Sequence, residues 1–162
     1  MRAAPRAASV WPFKKLGHRA QMTRELKAVD RLKQWSEFQA VMAAGTVART
    51  PHFVLHQWPQ HANKSLAGPG SENPPALFAE GVLMLGALTP KRWAKQAVTR
   101  NLIKRQIYNV SASFGPRLAP TAYVVRLKTG FDRKHFVSAS SQALKQVVRA
   151  ELTQLFGKIA TP

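Results

Sequence analysis

Between Ala97 and Tyr108 the chain reads Ala-Val-Thr-Arg-Asn-Leu-Ile-Lys-Arg-Gln-Ile-Tyr, and its guanidinium, amide and ammonium groups return every three or four residues. At helical spacing Arg100, Asn101, Lys104, Arg105 and Tyr108 share one arc, while Ile103, Ile107, Val110 and Phe114 occupy the adjoining one. Such a helix docks by its apolar side and offers cations beside it, and the chemistry those cations suit is the gripping of phosphate oxygens. A plain solvated face would show the same periodicity, so the surroundings decide between the two. Immediately upstream, Lys91-Arg92-Trp93-Ala94-Lys95 forms a basic loop after Pro90, which lets cations of loop and helix converge on one surface.

Hydrolytic chemistry finds little to work with. The seven carboxylates, Glu25, Asp30, Glu37, Glu72, Glu80, Asp132 and Glu151, are scattered over separate stretches, whereas metal-assisted cleavage needs several gathered together. Five histidines could in principle move protons, but none has a recognisable orienting partner or nucleophile, and there is no glycine-rich phosphate loop. His52 and His56 fall on one face of a strand-like run, yet a zinc site would need a third ligand at recognisable spacing, so polar or stacking contacts are the better reading. No active site made by protein alone is expected.

Composition points to the partner. With 25 Lys and Arg against 7 Asp and Glu in 162 residues, the formal net charge is +18, an excess that self-repels and that a polyanion would neutralise. Aliphatic and aromatic content is too high for a disordered polycation, and no apolar run approaches a membrane span, so a folded nucleic-acid binder is favoured over a membrane protein. The absence of Cys excludes disulfide scaffolds and thiolate sites and is compatible with a reducing cytoplasm. Residues 1–21 carry Arg2, Arg6, Lys14, Lys15 and Arg19 with no acid and no apolar segment of signal-peptide type. A disordered basic tail over 1–30 that adds RNA affinity fits this better than a transit peptide.

These residues must be positioned by a single domain, expected over 31–157, with a short tail at 158–162. Ser36-Glu37-Phe38-Gln39 has the form of a capping box, so a first helix is expected to start there, with Phe38, Val41 and Met42 on one stripe and Gly45 at its end. Thr46–Arg49 suits a brief strand, and His52–Trp58 a second, with Phe53 and Leu55 on one face and His52, Val54 and His56 on the other, open one. A flexible insertion is expected at about 59–79, rich in Gly, Pro, Ser and Asn. The run Gly81–Thr89 reads as a buried strand in which Gly86 permits close approach of a neighbour. After the basic helix, Thr121–Lys128 is a last strand, and Leu144, Val147, Val148, Leu152, Leu155 and Phe156 mark a last helix from about Phe136 to Phe156. The order α-β-β-β-α-β-α predicts an α+β two-layer sandwich, a four-stranded sheet with its helices on one face.

Three ordered segments carry a resemblance. Lys91-Arg92 followed by Ala97 to Arg105 resembles the signature helix of the bacterial ribonuclease P protein subunit; Arg31 to Gly45 is similar to that family's first helix, and His52 to His56 to its second strand. The resemblance covers roughly Arg31 to Phe156. It implies a small basic protein, one per RNA, that binds a catalytic RNA and helps it remove the 5′ leader of precursor tRNA in the cytoplasm. Catalysis would belong to the RNA, with magnesium ions held mainly by RNA and substrate phosphates. The basic residues Lys91, Arg92, Arg100, Lys104 and Arg105, with Asn101 and Tyr108 among them, would meet that RNA. The single-stranded leader would cross a cleft between the first helix and the open sheet face, lined by Phe38, Met42, His52, Val54 and His56. Such a surface combines cations for phosphates with flat or soft side chains for splayed bases.

The chain departs from that pattern at Leu102 and Tyr108, where the family usually has basic residues, and at Met42 and His56, which stand in place of common aromatics. Two phosphate contacts would then be missing and leader binding weakened, with the tail and the long loop as compensation. The rival reading is another basic protein of similar fold that grips structured RNA, for example at the ribosome, without a substrate cleft.

Overall fold

The computed structural model describes residues 29–59, 77–79, 81–132, 136 and 141–160. The basic tail and most of the 59–79 insertion lie outside the described residues. In chain order the elements are β1 (Asp30–Arg31), α1 (Trp35–Ala44), β2 (Thr46–Arg49), β3 (Phe53–Gln57), β4 (Met84–Leu88), α2 (Ala97–Phe114), a 3-10 turn (Gly115–Arg117), β5 (Ala122–Leu127) and α3 (Gln142–Gly157).

The strand Ala-Tyr-Val-Val-Arg-Leu of β5 is apolar at nearly every position because it is covered on both faces. It sits at the centre of a mixed sheet of order β1-β4-β5-β3-β2, parallel to β4 and antiparallel to β3. The α+β class is as expected, but two details differ. Strand β1, only two residues long, adds a fifth strand by pairing in parallel with β4 (Asp30 beside Met84, Arg31 beside Leu85). And the helices do not share one face. Tyr123, Val125 and Leu127 point into the larger core with Phe53, Leu55, Ile103, Ile107, Val148 and Leu152, the side of α2 and α3. Ala122 and Val124 point the other way, against Leu32, Val41 and Phe38, the side of α1. Alternation along a strand gives β5 two apolar faces, and each needs a cover.

Helix α1 begins at Trp35 with Gln34 as its cap, two residues before the expected start. Glu37, not Ser36, closes the first turn, its Oε2 accepting from the amides of Lys33 (2.9 Å) and Gln34 (3.0 Å). The helix ends at Gly45, whose φ of +126° disfavours any residue with a side chain. Helix α2 buries Ile103, Ile107 and Val110 as its periodicity demands, each worth about 1.5–3 kcal/mol, enough to seat a helix whose other side is cationic. Helix α3 starts later than expected, with Ser141 capping it by accepting from Leu144 N (3.1 Å). Val147, expected among its core residues, is 41 % exposed, because the buried stripe runs through Leu144, Val148, Leu152, Leu155 and Phe156. At the far end of the insertion Phe78 is buried, edge-on to Trp58 with ring centroids 5.3 Å apart.

Candidate nucleic-acid interface

Two surfaces gather the candidate residues, one on each side of the sheet. On α2, Asn101, Lys104 and Arg105 are exposed, and so are Lys91, Arg92 and Lys95 in the preceding turn. That turn is held in shape. The carbonyl of Pro90 accepts from Trp93 N and Ala94 N, and Gly130 approaches so closely that a Cβ there would lie 2.7 Å from Trp93 O. Arg100 is half-buried and its Nη1 donates to the carbonyls of Ala94 (2.9 Å) and Lys95 (2.7 Å), binding the loop to the helix it precedes. Of the basic motif, Arg100 therefore positions cations, while its neighbours present them. The Arg92 guanidinium lies 5.3 Å from the centre of the Trp93 ring, an exposed pairing of charge and aromatic surface.

Tyr108 is also occupied. Its ring carries the Arg31 guanidinium at 4.2 Å, a contact between α2 and β1 that brings a cation to a position where α2 itself has none. Burial pushes the Tyr108 phenol pKa up, against smaller opposing effects of Arg31 and of a backbone hydrogen bond with Ala87. Leu102 packs on the edge of the larger core.

On the opposite face, α1 lies across only part of the sheet. The Phe38 ring rests on Gly86, and Met42, one turn on, packs in the same cluster with Leu88 and Met84. Cross-strand register aligns Val54 with Arg126, His56 with Val124, and Leu88 with Arg126, so Val54, His56, Leu88 and Arg126 share this face beside the helix. His56 is 8 % exposed, its Nδ1 3.1 Å from the carbonyl of Gly45 at the end of α1. A carbonyl can only accept, so that nitrogen carries the proton. Burial lowers the His56 pKa below its ordinary value, the hydrogen bond to Gly45 opposing it and the nearby Arg126 and Arg49 adding to it, which favours the neutral ring and leaves Nε2 as an acceptor. Among the described residues neither His56 Nε2 nor Arg126 Nε has a hydrogen-bond partner. Phe38, Met42, Val54 and His56 are thus brought together.

His52 is not with them. It precedes β3 and turns to the α2–α3 side, where it stacks on Phe131 (centroids 4.1 Å apart) and its Nδ1 lies 2.8 Å from Glu151 Oε2. The same carboxylate accepts from His52 N at 2.6 Å. Alternation assigns a face only inside a paired strand, and His52 lies one residue outside it. Residues given no site role in the sequence reading also join the surfaces: Arg31, Arg49 and Arg126. The lone Arg of an otherwise apolar β5 run was the available signal for the last.

A family model described as Ribonuclease P matches residues 26–159. The ribonuclease P protein component of Ralstonia pickettii is 34 % identical over 131 residues, covering 81 % of this chain and 79 % of that protein. That of Paraburkholderia xenovorans is 30 % identical over 130 residues, covering 80 % of each. Among solved structures, the RNase P protein of Staphylococcus aureus superposes with a TM-score of 0.54 at 17 % identity, covering 78 % of this chain and 92 % of that one, a likeness of fold. Sequence matched along nearly all of the described domain, on a fold of the same kind, makes this chain a member of the ribonuclease P protein family.

Proposed function

We propose that this protein works as the protein subunit of ribonuclease P, holding the catalytic RNA on its α2 side and the 5′ leader of precursor tRNA on its α1 side. The observation that carries the reading is the groove beside α1. A neutral imidazole acceptor and a guanidinium Nε, both buried and without a hydrogen-bond partner among the described residues, share the sheet face on which the aromatic and thioether side chains of Phe38 and Met42 pack. Buried polar atoms are ordinarily satisfied, and a single-stranded nucleotide supplies what these lack: a phosphate for Arg126, a hydroxyl or amine donor for His56 Nε2, and a base face for Phe38.

On the other side, Lys91, Arg92, Asn101, Lys104 and Arg105 bind phosphates of the catalytic RNA, with Arg100 setting the loop and Arg31 taking the place beside Tyr108. The RNA carries the cleavage chemistry. In this reading the magnesium ions are held mainly by phosphates of the RNA and the substrate. No helix among the described residues is long and apolar enough to cross a membrane, and a cytoplasmic complex with one protein per RNA fits the reading.

Reconstitution with the ribonuclease P RNA of the same organism tests it. The protein is expected to stimulate 5′ processing of precursor tRNA at low magnesium and to favour leader-bearing precursor over mature tRNA. Absence of stimulation overturns the reading; stimulation without leader preference, unaffected by Phe38→Ala, favours a structured-RNA binder with no substrate cleft.

A further inference from the structure

We propose that the groove between α2 and the N-terminal end of α3 is a subsite for one unstacked nucleotide of the RNA bound by α2, with Gln106 reading the edge of its base. This rests on the RNA-binding reading above and assigns a position within it. The groove encloses about 400 Å³, within the range of about 300–1,000 Å³ typical of small-ligand sites. Its walls divide by chemistry. Val98, 55 % exposed, and the half-buried Leu102 offer an apolar surface of the kind a base face covers. Arg105 from α2 and Lys145 from α3 bring a cation from each wall, Asn101 adds an amide, and among the described residues no carboxylate lines the groove. Gln142, the first residue of the sixteen-residue α3, places the positive end of that helix there as well.

The deciding group is Gln106. It is 4 % exposed, it lines the groove, and its Oε1 has no hydrogen-bond partner among the described residues. A buried acceptor left open in the free protein suits a ligand that brings an N–H, such as an exocyclic amine or ring imide of a nucleobase. Asn101 and Arg105 belong both to the groove and to the exposed basic face of α2, so an RNA strand on that face reaches the groove without leaving the protein surface. This continuity, with cations on both walls of a chain of net charge +18, favours a nucleotide over an apolar peptide.

Full-length protein and the ribonuclease P RNA of the same organism provide the test, using binding measured across a potassium chloride series and chemical probing of unpaired base edges. Gln106→Leu, which removes the acceptor at similar volume, is expected to weaken RNA binding about 5- to 30-fold with no change in salt slope. It should leave the melting temperature of the free protein unchanged or raised. Lys145→Ala, at an exposed site, is expected to lower the salt slope by about one unit. At least one unpaired nucleotide protected by the wild type should become reactive in the Gln106→Leu complex. If both variants match the wild type in affinity, slope and protection while the wild-type complex processes precursor tRNA, the subsite is overturned and the RNA-binding reading stands. If the wild type itself neither binds the RNA nor stimulates processing, both fall.

Discussion

The ring of Phe38 sits against the backbone of Gly86, so that a Cβ added there would overlap Phe38 Cε1 and lie 2.9 Å from its Cζ. One aromatic of the proposed leader groove is thus seated by the absence of a side chain on β4. Gly86→Ala is expected to cost about 1–3 kcal/mol by overpacking and to push Phe38 towards the groove. Chemical denaturation should report the first effect, and a reduced preference of the reconstituted complex for leader-bearing precursor the second.

Arg100 and Lys104 lie four residues apart on α2 but are expected to fail differently. Lys104 is exposed, and Lys104→Ala should lower the salt slope of RNA binding by about one unit, the loss of one phosphate contact. Arg100 ties down the 90–95 loop through two carbonyls, so Arg100→Ala should release Lys91 and Arg92 as well and lower the slope by more than one. Equal slopes for the two variants would remove the positioning role.

Tyr108 gives a third comparison. If its ring holds Arg31 in the RNA interface, Tyr108→Phe should bind RNA like the wild type, while Tyr108→Ala and Arg31→Ala should weaken binding to a similar degree and not additively in the double variant. Additive losses in a double-mutant cycle would show that the two residues act separately.

For His56 the folded pKa lies below the unfolded value, so below pH 6.5 the unfolded chain binds more protons than the folded one. The contribution is complete above pH 6.5 and is lost as the pH falls towards the folded pKa. Stability measured from pH 7 down to 5 should decline more in the wild type than in His56→Asn, and parallel curves would refute the assignment.

Glu151 joins α3 to the backbone and ring of His52, 99 residues away in sequence. Glu151→Ala is expected to destabilise the fold by about 1–3 kcal/mol while leaving the salt slope of RNA binding unchanged, because His52 is structural.

Much of this is legible in the amino-acid sequence alone. The three-and-four spacing of Ile103, Ile107 and Val110 set both the burial of α2 and the exposure of Asn101, Lys104 and Arg105, since one helical period governs both. The turn at Gly45, the strands at 53–57 and 122–127, and the close approach at Gly86 followed from backbone freedom and apolar runs in the same local way. Other relationships had no local signal. A two-residue strand such as β1 has no periodicity to read, and β5 is apolar on both faces whichever side the helices take. Only packing put α1 on one side of the sheet and α2 and α3 on the other, and so separated the two candidate surfaces. Tertiary structure likewise withdrew His52 to Glu151, turned Arg100 onto its own loop and carried Arg31 across to Tyr108. Periodicity along a chain fixes which side of an element a residue takes, whereas the partner waiting on that side comes from residues tens of positions away, and only the folded chain brings them together.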